Sequence, residues 1–498
     1  MLALDGSSEA GGIADLLRRE RVGGAFWGAR PALSGRVLAP RGPDQEAKMR
    51  AAGAGASAIA AACDPWWIAD CADEVWADAD SELALVAALC GTPVRLFGEG
   101  RFAGCEHDAD GVAERVVGSA RYVSPFTGEG WTAAEAVHQL GEWRRLIDAN
   151  RRLAAIHGVA GWKKVTLDAL LWNGIGPVRY ARTGEAPRGG AQVAAWKSRT
   201  APRVLAALEQ AGAEVVEIED GFVRSAGLGA NCVPPLSVVV DFGGIYFDPA
   251  TSSDLETLIE TADIPQVLAD RAAALRRQLV ASAVSKYGQG GAPVTLGSGG
   301  KRTVLVTGQV EDDRSIVSGG AGITNLEVLS RARHLEGDAW IVYKPHPDVE
   351  AGHRKGHVPD AEALRFADAV ERDAPITSLI DAAEGLHVIT SLAGFEALLR
   401  GKPVTTHGVP FYAGWGLTRD LGQVPPRRTR QRTLDELVAA ALLLYPRYLD
   451  PVTRLPCPAE VVVDRLAKGQ GRVTSPLVAL REWQGRVQAM AKRVGGMR

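Results

Sequence analysis

The hydrophobic pattern of the chain alternates between short β-rich runs and longer amphipathic stretches. After residue 300 the β-rich runs are TVLVT, WIVY, HVIT and VTT, which begin at Thr303, Trp340, His387 and Val404. An earlier region follows the same pattern, with QVAAW from Gln192, a helical stretch at 202–211 and EVVEI from Glu214. Strands that alternate with helices are typical of βαβ units and parallel sheets. The pattern therefore predicts two α/β domains.

The segment between these two regions predicts a hairpin, a helix and a linker. Residues 238–248, VVVDFGGIYFD, place β-rich runs on both sides of a Gly-Gly pair, which predicts a β-hairpin. Ser253-Asp-Leu-Glu256 is a capping-box pattern, and we expect its helix to continue to about Tyr287. The glycine-rich residues 288–300 predict an interdomain linker and hinge.

Two distant segments of the chain resemble each other. SELALVAALCGTPVRLFG at 81–98 aligns without gaps to SLAGFEALLRGKPVTTHG at 391–408, and Phe102-Ala-Gly104 then matches Tyr412-Ala-Gly414. Each segment predicts a serine-capped helix, a Gly-x-Pro turn and a strand. We therefore interpret the N-terminal region as a reduced α/β half-module. A chance likeness between two ordinary αβ units is the alternative.

Composition narrows the class of protein and its partners. The 56 Lys and Arg against 59 Asp and Glu give a net charge of −3, so no overall field attracts nucleic acid or anionic lipid. The six cysteines form no C-x-x-C pair and lack histidines at metal-ligand spacing, which predicts a reduced protein without structural zinc. We see neither a secretory leader nor an apolar stretch long enough to cross a bilayer, and expect a cytoplasmic protein.

The first group of candidate site residues follows the EVVEI run. Ligands of open α/β sheets bind beyond the carboxyl ends of strands, where Glu219, Asp220 and Arg224 are expected to lie. Nearby glycines would let the backbone approach a ligand. The alternative is that the two acids cap a turn beside a surface arginine.

A second group, Lys344-Pro-His-Pro-Asp348, directly follows the WIVY run. The prolines on both sides of His346 restrict the backbone, and Pro347 suits the start of a helix whose positive end would face a phosphate. Lys344 would add a point charge. A structural histidine between two prolines is the alternative.

Two more strand-to-helix junctions complete the candidate set. Ser391 is a plausible N-cap that could hold phosphate oxygens, and Glu396 further along the helix could accept ribose hydroxyls. Gly308 and Gln309 follow the first strand of the second domain, where such domains contact nucleotides, but they form neither a Walker A nor a G-x-G-x-x-G motif. The adjacent acids at 311–313 predict a solvated loop more than a metal site.

Taken together, these motifs resemble the KpsC/LipA family of capsular polysaccharide enzymes. The segments that carry the likeness are IEDGFVRSAGLG, GQVEDDRSI, IVYKPHPDVEAG and TSLAGFEALLRGKPVTTHGVPFYAGWGLTRD, and the likeness extends over residues 122–467. It implies an α/β, GT-B-like fold with two Rossmann-like domains facing a cleft, plus a small N-terminal α/β remnant. The boundaries we predict are a remnant at 1–115, a helical connector at 116–165, the two Rossmann-like domains at 166–290 and 291–450, and a helical tail at 451–498.

The resemblance also implies a function. Members of this type transfer β-Kdo from CMP-β-Kdo with retention, onto a Kdo-containing glycolipid or polysaccharide linker of capsule biosynthesis and export. No cofactor or metal is implied, and nucleic acid is not an expected partner. The other expected partners are capsule-assembly proteins at the inner membrane, which would place the protein peripherally on its inner face. An inactive scaffold of the capsule machinery, or a transferase for another CMP-ulosonic acid, is the alternative.

The roles implied by the resemblance fall on the residues already singled out. Asp220 would be the nucleophile required by retention through double displacement. His346 would contact CMP, Ser391 its phosphate, and Arg224 and Lys344 would offset the charges of the donor. The remaining residues implied to bind donor or to line the acceptor side of the cleft are Glu219, Gly308, Gln309, Pro347, Glu396, Tyr412 and Trp415.

Overall fold

Two α/β units make up this protein, whose structure is a computed structural model. The structure describes residues 12–54, 58–59, 62–181, 190–223, 233–282, 284–285, 288–289, 294–352, 354–471 and 473. The described residues of 4–154 and 167–179 form one unit, and those of 155–166 and 180–498 form the other. We call them the N-terminal unit and the large unit. The predicted α/β class is confirmed.

The N-terminal unit is built on a four-stranded parallel sheet. Its elements are α1 (Ile13–Glu20), β1 (Arg36–Ala39), α2 (Pro43–Met49), β2 (Ala58–Ile59), α3 (Pro65–Cys71), β3 (Glu74–Asp78), α4 (Glu82–Cys90), β4 (Val94–Phe97), α5 (Ala109–Ala113), β5 (Tyr122–Val123), β6 (Gly130–Trp131) and α6 (Ala133–Arg151). The sheet order is β2-β1-β3-β4. Val37, Leu38 and Val75 are fully buried, as expected for strands covered on both faces.

The large unit contains two six-stranded sheets, and its elements at Leu153–His157 and Lys164–Leu170 each include a few residues assigned to the N-terminal unit. Its first part comprises β7 (Leu153–His157), a 3₁₀ turn (Gly161–Lys163), α7 (Lys164–Leu170), β8 (Gln192–Ala195), α8 (Pro202–Gln210), β9 (Glu214–Asp220), β10 (Ser237–Asp241), α9 (Asp254–Thr261), α10 (Gln266–Ala281), β11 (Val284–Ser285) and β12 (Gly288–Gln289). Its second part comprises β13 (Thr303–Thr307), α11 (Arg314–Gly319), α12 (Asn325–Glu336), β14 (Trp340–Lys344), α13 (Pro347–Glu350), α14 (Asp360–Ala363), β15 (Ala369–Val370), α15 (Ile376–Ala382), β16 (Gly385–Val388), α16 (Leu392–Leu399), β17 (Val404–Thr406), β18 (Arg419–Asp420), α17 (Leu434–Val438), β19 (Arg447–Leu449), β20 (Pro456–Cys457) and α18 (Ala459–Ala467).

The second sheet matches the prediction closely. Its order is β15-β14-β13-β16-β17-β18, and every pair in it is parallel. The four β-rich runs after residue 300 supply its four central strands. Because parallel strands point the same way, the loops after β13, β14 and β16 leave from one edge of the sheet.

The first sheet is mixed, with the order β20-β19-β10-β9-β8-β7. β8 and β9 are parallel, whereas β10 is antiparallel to β9 and β19. The predicted strand, helix and strand between residues 192 and 220 are confirmed. The pairing of β19 and β20 with this sheet was not anticipated: the chain returns to the first sheet after completing the second.

The hairpin predicted at 238–248 is wrong. β10 is a strand, but β9 and β19 already occupy both of its edges, which leaves no place for a returning strand. The Asp241 carboxylate accepts hydrogen bonds from the backbone N–H groups of Gly243, Gly244 and Asp254, which turn the chain tightly. Tyr246 then packs edge-on against Phe222, with ring centroids 4.8 Å apart.

The long helix predicted from residue 254 to about Tyr287 is also wrong in part. Pro265 separates α9 from α10, because proline lacks an N–H and disfavours helical backbone in the residue before it. α10 ends at Ala281. Residues 284–285 and 288–289 pair as short antiparallel strands within the predicted helix end and linker. Tyr287 and 290–293 lie outside the described residues, so the hinge stays a prediction.

The internal likeness is matched element by element. β3, α4 and β4 correspond to β16, α16 and β17, and each strand pair is parallel. The glycines after the two helices, Gly91 and Gly401, both have positive φ, at 79° and 69°. The two caps differ, however, because the Ser391 hydroxyl accepts from the Ala393 N–H while Ser81 makes no such bond. The two segments are therefore alike in their backbone structure but differ in the side-chain hydrogen bond that caps the helix.

No helix in the described part of the chain combines the length and the apolar character needed to cross a bilayer. The cysteines at 63, 71, 90, 105 and 457 are free, and Cys232 lies outside the described residues. Of the predicted helical tail, α18 is described. The predicted domain boundaries stay predictions.

Candidate active site

Three of the predicted segments meet at the carboxyl edge of the second sheet. β14, β13 and β16 are neighbours, so the loops that begin at Gly308, Pro345 and Thr390 leave side by side. Gly308 is tightly placed: a Cβ there would lie 2.6 Å from the Tyr343 hydroxyl. The candidate residues on these three loops thus lie at the sheet edge where open α/β proteins bind ligands, and nucleotide binding there stays a prediction.

Gln309 ties two of these loops together. Its Oε1 accepts a hydrogen bond from the Thr390 N–H at 2.9 Å, and its Nε2 donates to the Thr390 hydroxyl at 3.3 Å. The Gln309 N–H donates to Asn325 Oδ1 at 2.9 Å, and Asn325 in turn donates to the Gly356 carbonyl. The buried amide of Gln309 is thus occupied within the protein. It positions the loop before Ser391, and direct contact of Gln309 with the donor stays a prediction.

His346 is the N-cap of the one-turn helix α13, with Pro347 at its first position. Its Nδ1 accepts from the Asp348 N–H at 3.2 Å, so the proton of a neutral ring lies on Nε2. Burial lowers the pKa of His346, against the opposing charges of Asp348 and Asp313. At neutral pH the ring is therefore a neutral Nε2–H donor, able to bind an oxygen of a nucleotide.

Lys344 binds a neighbouring loop of the protein. Its ammonium donates to the Arg372 carbonyl, and burial lowers its pKa, with Glu371 and Asp373 acting in the opposite direction. The lysine therefore anchors the loop that contains Arg372. The expectation that Lys344 offsets the charge of the donor stays a prediction.

Ser391 caps α16 through a hydrogen bond of 3.2 Å from the Ala393 N–H, while its carbonyl accepts from the Tyr412 hydroxyl. Tyr412 and Trp415 are fully buried, and the Trp415 indole N–H donates to the Phe411 carbonyl. This corrects the expectation that the two aromatic residues line an open cleft. They lie in the core next to the Ser391 loop, where Tyr412 binds its backbone. Glu396 lies half-buried on α16, one turn beyond the cap.

The acidic residues after Gln309 each bind a partner in the protein. Glu311 accepts from the Asn325 N–H, Asp312 pairs with Arg354, and Asp313 caps α11 by accepting from Ser315. Among the described residues, no group of three or more His, Cys, Asp or Glu side chains could hold a metal ion.

The first sheet contributes a separate carboxylate. Asp220 ends β9, and its Oδ1 accepts a hydrogen bond from the Lys163 ammonium at 3.0 Å. Glu219 precedes it and accepts the Asp220 N–H at 3.0 Å. Lys163 was not among the residues singled out from the sequence. It does follow the β-rich run LAAIH, however, and so lies beyond the carboxyl end of a strand, as the other candidate residues do. Arg224 lies outside the described residues.

An ion-pair cluster joins the two parts of the large unit near this carboxylate. Glu217, fully buried on β9, pairs with Lys197 at 2.9 Å and with Arg314 of α11. The Arg314 guanidinium also lies 5.0 Å from the centre of the Phe247 ring. The spacing of the sequence offered no signal for this pairing, because the three side chains are far apart along the chain and Arg314 belongs to the part of the unit that holds the second sheet.

Comparison with known proteins agrees with this architecture. Residues 191–290 and 291–448 match the family described as capsule polysaccharide biosynthesis protein. The capsule polysaccharide modification protein LipA of Neisseria meningitidis serogroup A is 36% identical over 415 residues, which cover 78% of this chain and 59% of LipA. The lipopolysaccharide-processing protein LpsZ of Rhizobium meliloti is 47% identical over 236 residues, which cover 46% of this chain and 53% of LpsZ. This chain thus spans between half and two thirds of the length of these relatives.

Two solved structures are similar over nearly two thirds of this chain. The KpsC β-Kdo 2,4 transferase of Thermosulfurimonas dismutans has 31% identity and a TM-score of 0.54, covering 63% of this chain and 98% of that chain. The KpsC β-Kdo 2,7 transferase of the same organism has 33% identity and a TM-score of 0.50, covering 64% and 99%. The fold is accordingly of the GT-B-like type. The sequence match, the sheet order and the strand-end motifs together show that this chain belongs to the KpsC/LipA family of capsule polysaccharide biosynthesis proteins.

Proposed function

We propose that this protein is a retaining glycosyltransferase that moves β-Kdo from CMP-β-Kdo onto a Kdo-bearing glycolipid or polysaccharide. The observation that carries the proposal is the Asp220 carboxylate, which ends β9 beside a buried lysine. Retention by double displacement requires such a carboxylate. The 31–33% identity to two proteins named β-Kdo transferases supports the choice of sugar.

In the proposed reaction, a carboxylate oxygen of Asp220 attacks the anomeric carbon of the donor. The bond from that carbon to the phosphate oxygen breaks, and CMP leaves with the electron pair. An acceptor hydroxyl then attacks the same carbon, the ester bond to Asp220 breaks, and the hydroxyl proton passes to a base. Two inversions give overall retention.

We place the nucleotide at the carboxyl edge of the second sheet, where His346 offers an Nε2–H donor and the Ser391 loop is held by Gln309 and Tyr412. We expect no metal requirement, because the nearby carboxylates of Glu311 and Asp312 are already bound by Asn325 and Arg354. We further propose that the protein acts in the cytoplasm, peripherally at the inner face of the inner membrane, with capsule-assembly proteins as partners.

The direct test is incubation with CMP-β-Kdo and a Kdo-terminated acceptor, with product linkage and anomeric configuration read by NMR. A β-linked Kdo product is expected. An α-linked product would disprove retention. Transfer of a different CMP-activated ulosonic acid in preference to Kdo would correct the donor. Binding of acceptor without any turnover would indicate the scaffold alternative.

We expect His346→Ala to weaken CMP binding by roughly tenfold or more, because it removes one hydrogen-bond donor to the nucleotide. His346→Asn separates this role from helix capping, since asparagine is itself a favourable N-cap. It should keep thermal stability and still lose affinity. Calorimetry with CMP measures both variants.

Asp313→Ala is the matched control for the histidine variants. It removes the cap of α11, so it should cost about 1 kcal/mol of stability while leaving CMP affinity close to that of the wild type. Equal affinity losses in the His346 and Asp313 variants would contradict the proposed nucleotide position. A dependence of CMP binding on added divalent metal would contradict the metal-free site.

A further inference from the structure

Lys163 occupies an unusual position for a lysine. It ends the 3₁₀ turn that follows β7, and its side chain is only 6% exposed. Its ammonium lies 3.0 Å from Asp220 Oδ1, and the Asp220 side chain is 17% exposed. A buried ammonium is strongly disfavoured unless it is paired and hydrogen-bonded. The pairing with Asp220 therefore stabilises the buried position of this cation.

An aromatic ring fixes the ammonium from a second side. Lys163 Nζ lies 3.2 Å from the ring centre of Trp196, which is fully buried directly after β8. Tryptophan is the side chain that attracts a cation most strongly through its ring face. The carboxyl ends of β7, β8 and β9 thus supply the lysine, the indole and the carboxylate in turn.

The backbone around this group leaves little room for movement. The Trp196 N–H donates to the His157 carbonyl at 3.0 Å, and the Thr200 hydroxyl donates to the Trp196 carbonyl at 2.9 Å. A Cβ on Gly158, whose φ is +74°, would lie 2.3 Å from the Thr200 hydroxyl. The Lys163 carbonyl accepts from the Thr166 hydroxyl. Lys163 is therefore held in place at its backbone and at its ammonium.

We propose that Lys163 is the positioning residue of the nucleophile: it keeps the Asp220 carboxylate ionised and holds it in a fixed orientation toward the anomeric carbon. This inference rests on the proposed function. A cation within about 4 Å favours the charged form of a carboxylate. Formation of the ester on Asp220 removes the negative charge that pairs with the buried ammonium, and the loss of that pairing costs free energy. That cost favours breakdown of the ester and so the second half of the reaction.

The first test is the pH profile of transfer in Lys163→Met, Lys163→Gln and Lys163→Arg. The attacking carboxylate must be ionised, so activity falls at low pH. Without the ammonium the carboxyl pKa rises, and the acid limb of kcat/KM should move to higher pH by about one unit or more in the neutral variants. Lys163→Arg should keep the limb near its wild-type position. CMP affinity should not change in any of the three.

A lysine with a purely structural role predicts a different result. It would lower kcat at every pH without moving the acid limb, and that outcome would overturn the proposal. Circular dichroism and thermal melting report whether Lys163→Met prevents folding. If it does, Lys163→Gln provides a second variant with a neutral side chain.

The second test does not depend on activity. Water-soluble carbodiimide with an amine nucleophile labels protonated carboxyl groups, and peptide mass spectrometry reports the labelled fraction of Asp220. At a fixed pH near neutrality, Lys163→Met should raise labelling of Asp220 and leave that of Asp313 unchanged. Unchanged labelling of Asp220 would overturn the inference. If Lys163→Met raises the labelling of Asp220 but the wild-type protein transfers no Kdo, the proposed function is wrong and the effect of Lys163 on the Asp220 carboxyl group stands.

Discussion

Asp220→Asn is expected to abolish Kdo transfer while leaving CMP affinity nearly intact. The amide cannot form the glycosyl ester, so the lost interaction exists only on the path to the transition state, and kcat should fall by at least roughly a thousandfold. Nothing in the proposed nucleotide site at the second sheet involves this carboxylate. Transfer assays and calorimetry with CMP measure the two effects separately.

Glu219→Gln is the matched control at the same strand end. The Glu219 side chain accepts the Asp220 N–H through Oε1, and glutamine retains an oxygen that can do so. We expect this variant to retain far more activity than Asp220→Asn, because Glu219 is not the nucleophile. Mass spectrometry after brief reaction with CMP-β-Kdo should find a Kdo adduct on the peptide that contains Asp220. Substantial activity in Asp220→Asn, or an adduct that maps to Glu219 or to the second sheet, would show that the nucleophile is a different residue.

Glu256→Gln is expected to give the largest loss of stability. Glu256 was predicted to complete a capping box, but its carboxylate instead binds Arg427 and Arg428, and Ser253 alone provides the cap. The side chains of Glu256 and Arg428 are 6% and 2% exposed. Removing one partner of a buried ion pair leaves the other charge uncompensated, which costs roughly 3–5 kcal/mol.

This ion pair joins segments about 170 residues apart, because Arg428 lies beyond the second sheet and also donates to the Pro410 and Ala413 carbonyls. Chemical denaturation monitored by tryptophan fluorescence measures the effect. Glu260→Gln, one turn further along α9, is the control: Glu260 binds the Thr429–Arg430 segment at an exposed site. There we expect a loss of about 1 kcal/mol or less. Equal losses of unfolding free energy at the two positions would mean that the buried ion pair stabilises the protein no more than the exposed contact does.

Local patterns in the sequence predicted most of the second sheet and the edge at which its loops meet. Each β-rich run after residue 300 became a strand, because continuous apolar β-branched runs are suited to a parallel sheet covered on both faces. Ser391 and His346 both cap helices, since capping depends on residues within one turn. The likeness between 81–98 and 391–408 was equally visible, because it depends only on the order of residues within each segment.

What the tertiary structure alone decided is the pairing of groups that are distant in sequence. Burial turned Tyr412 and Trp415 into support for the Ser391 loop, and the occupied edges of β10 excluded the predicted hairpin. Among the described residues, Asp220 pairs with Lys163, which belongs to no conspicuous motif, whereas the ammonium of Lys344 binds the Arg372 carbonyl. Charge and hydrogen-bonding capacity can be read from a sequence, but the partner of a buried charge depends on which strand ends the sheet order makes adjacent. In this protein the order of β7, β8 and β9 brings the lysine, the tryptophan and the carboxylate together.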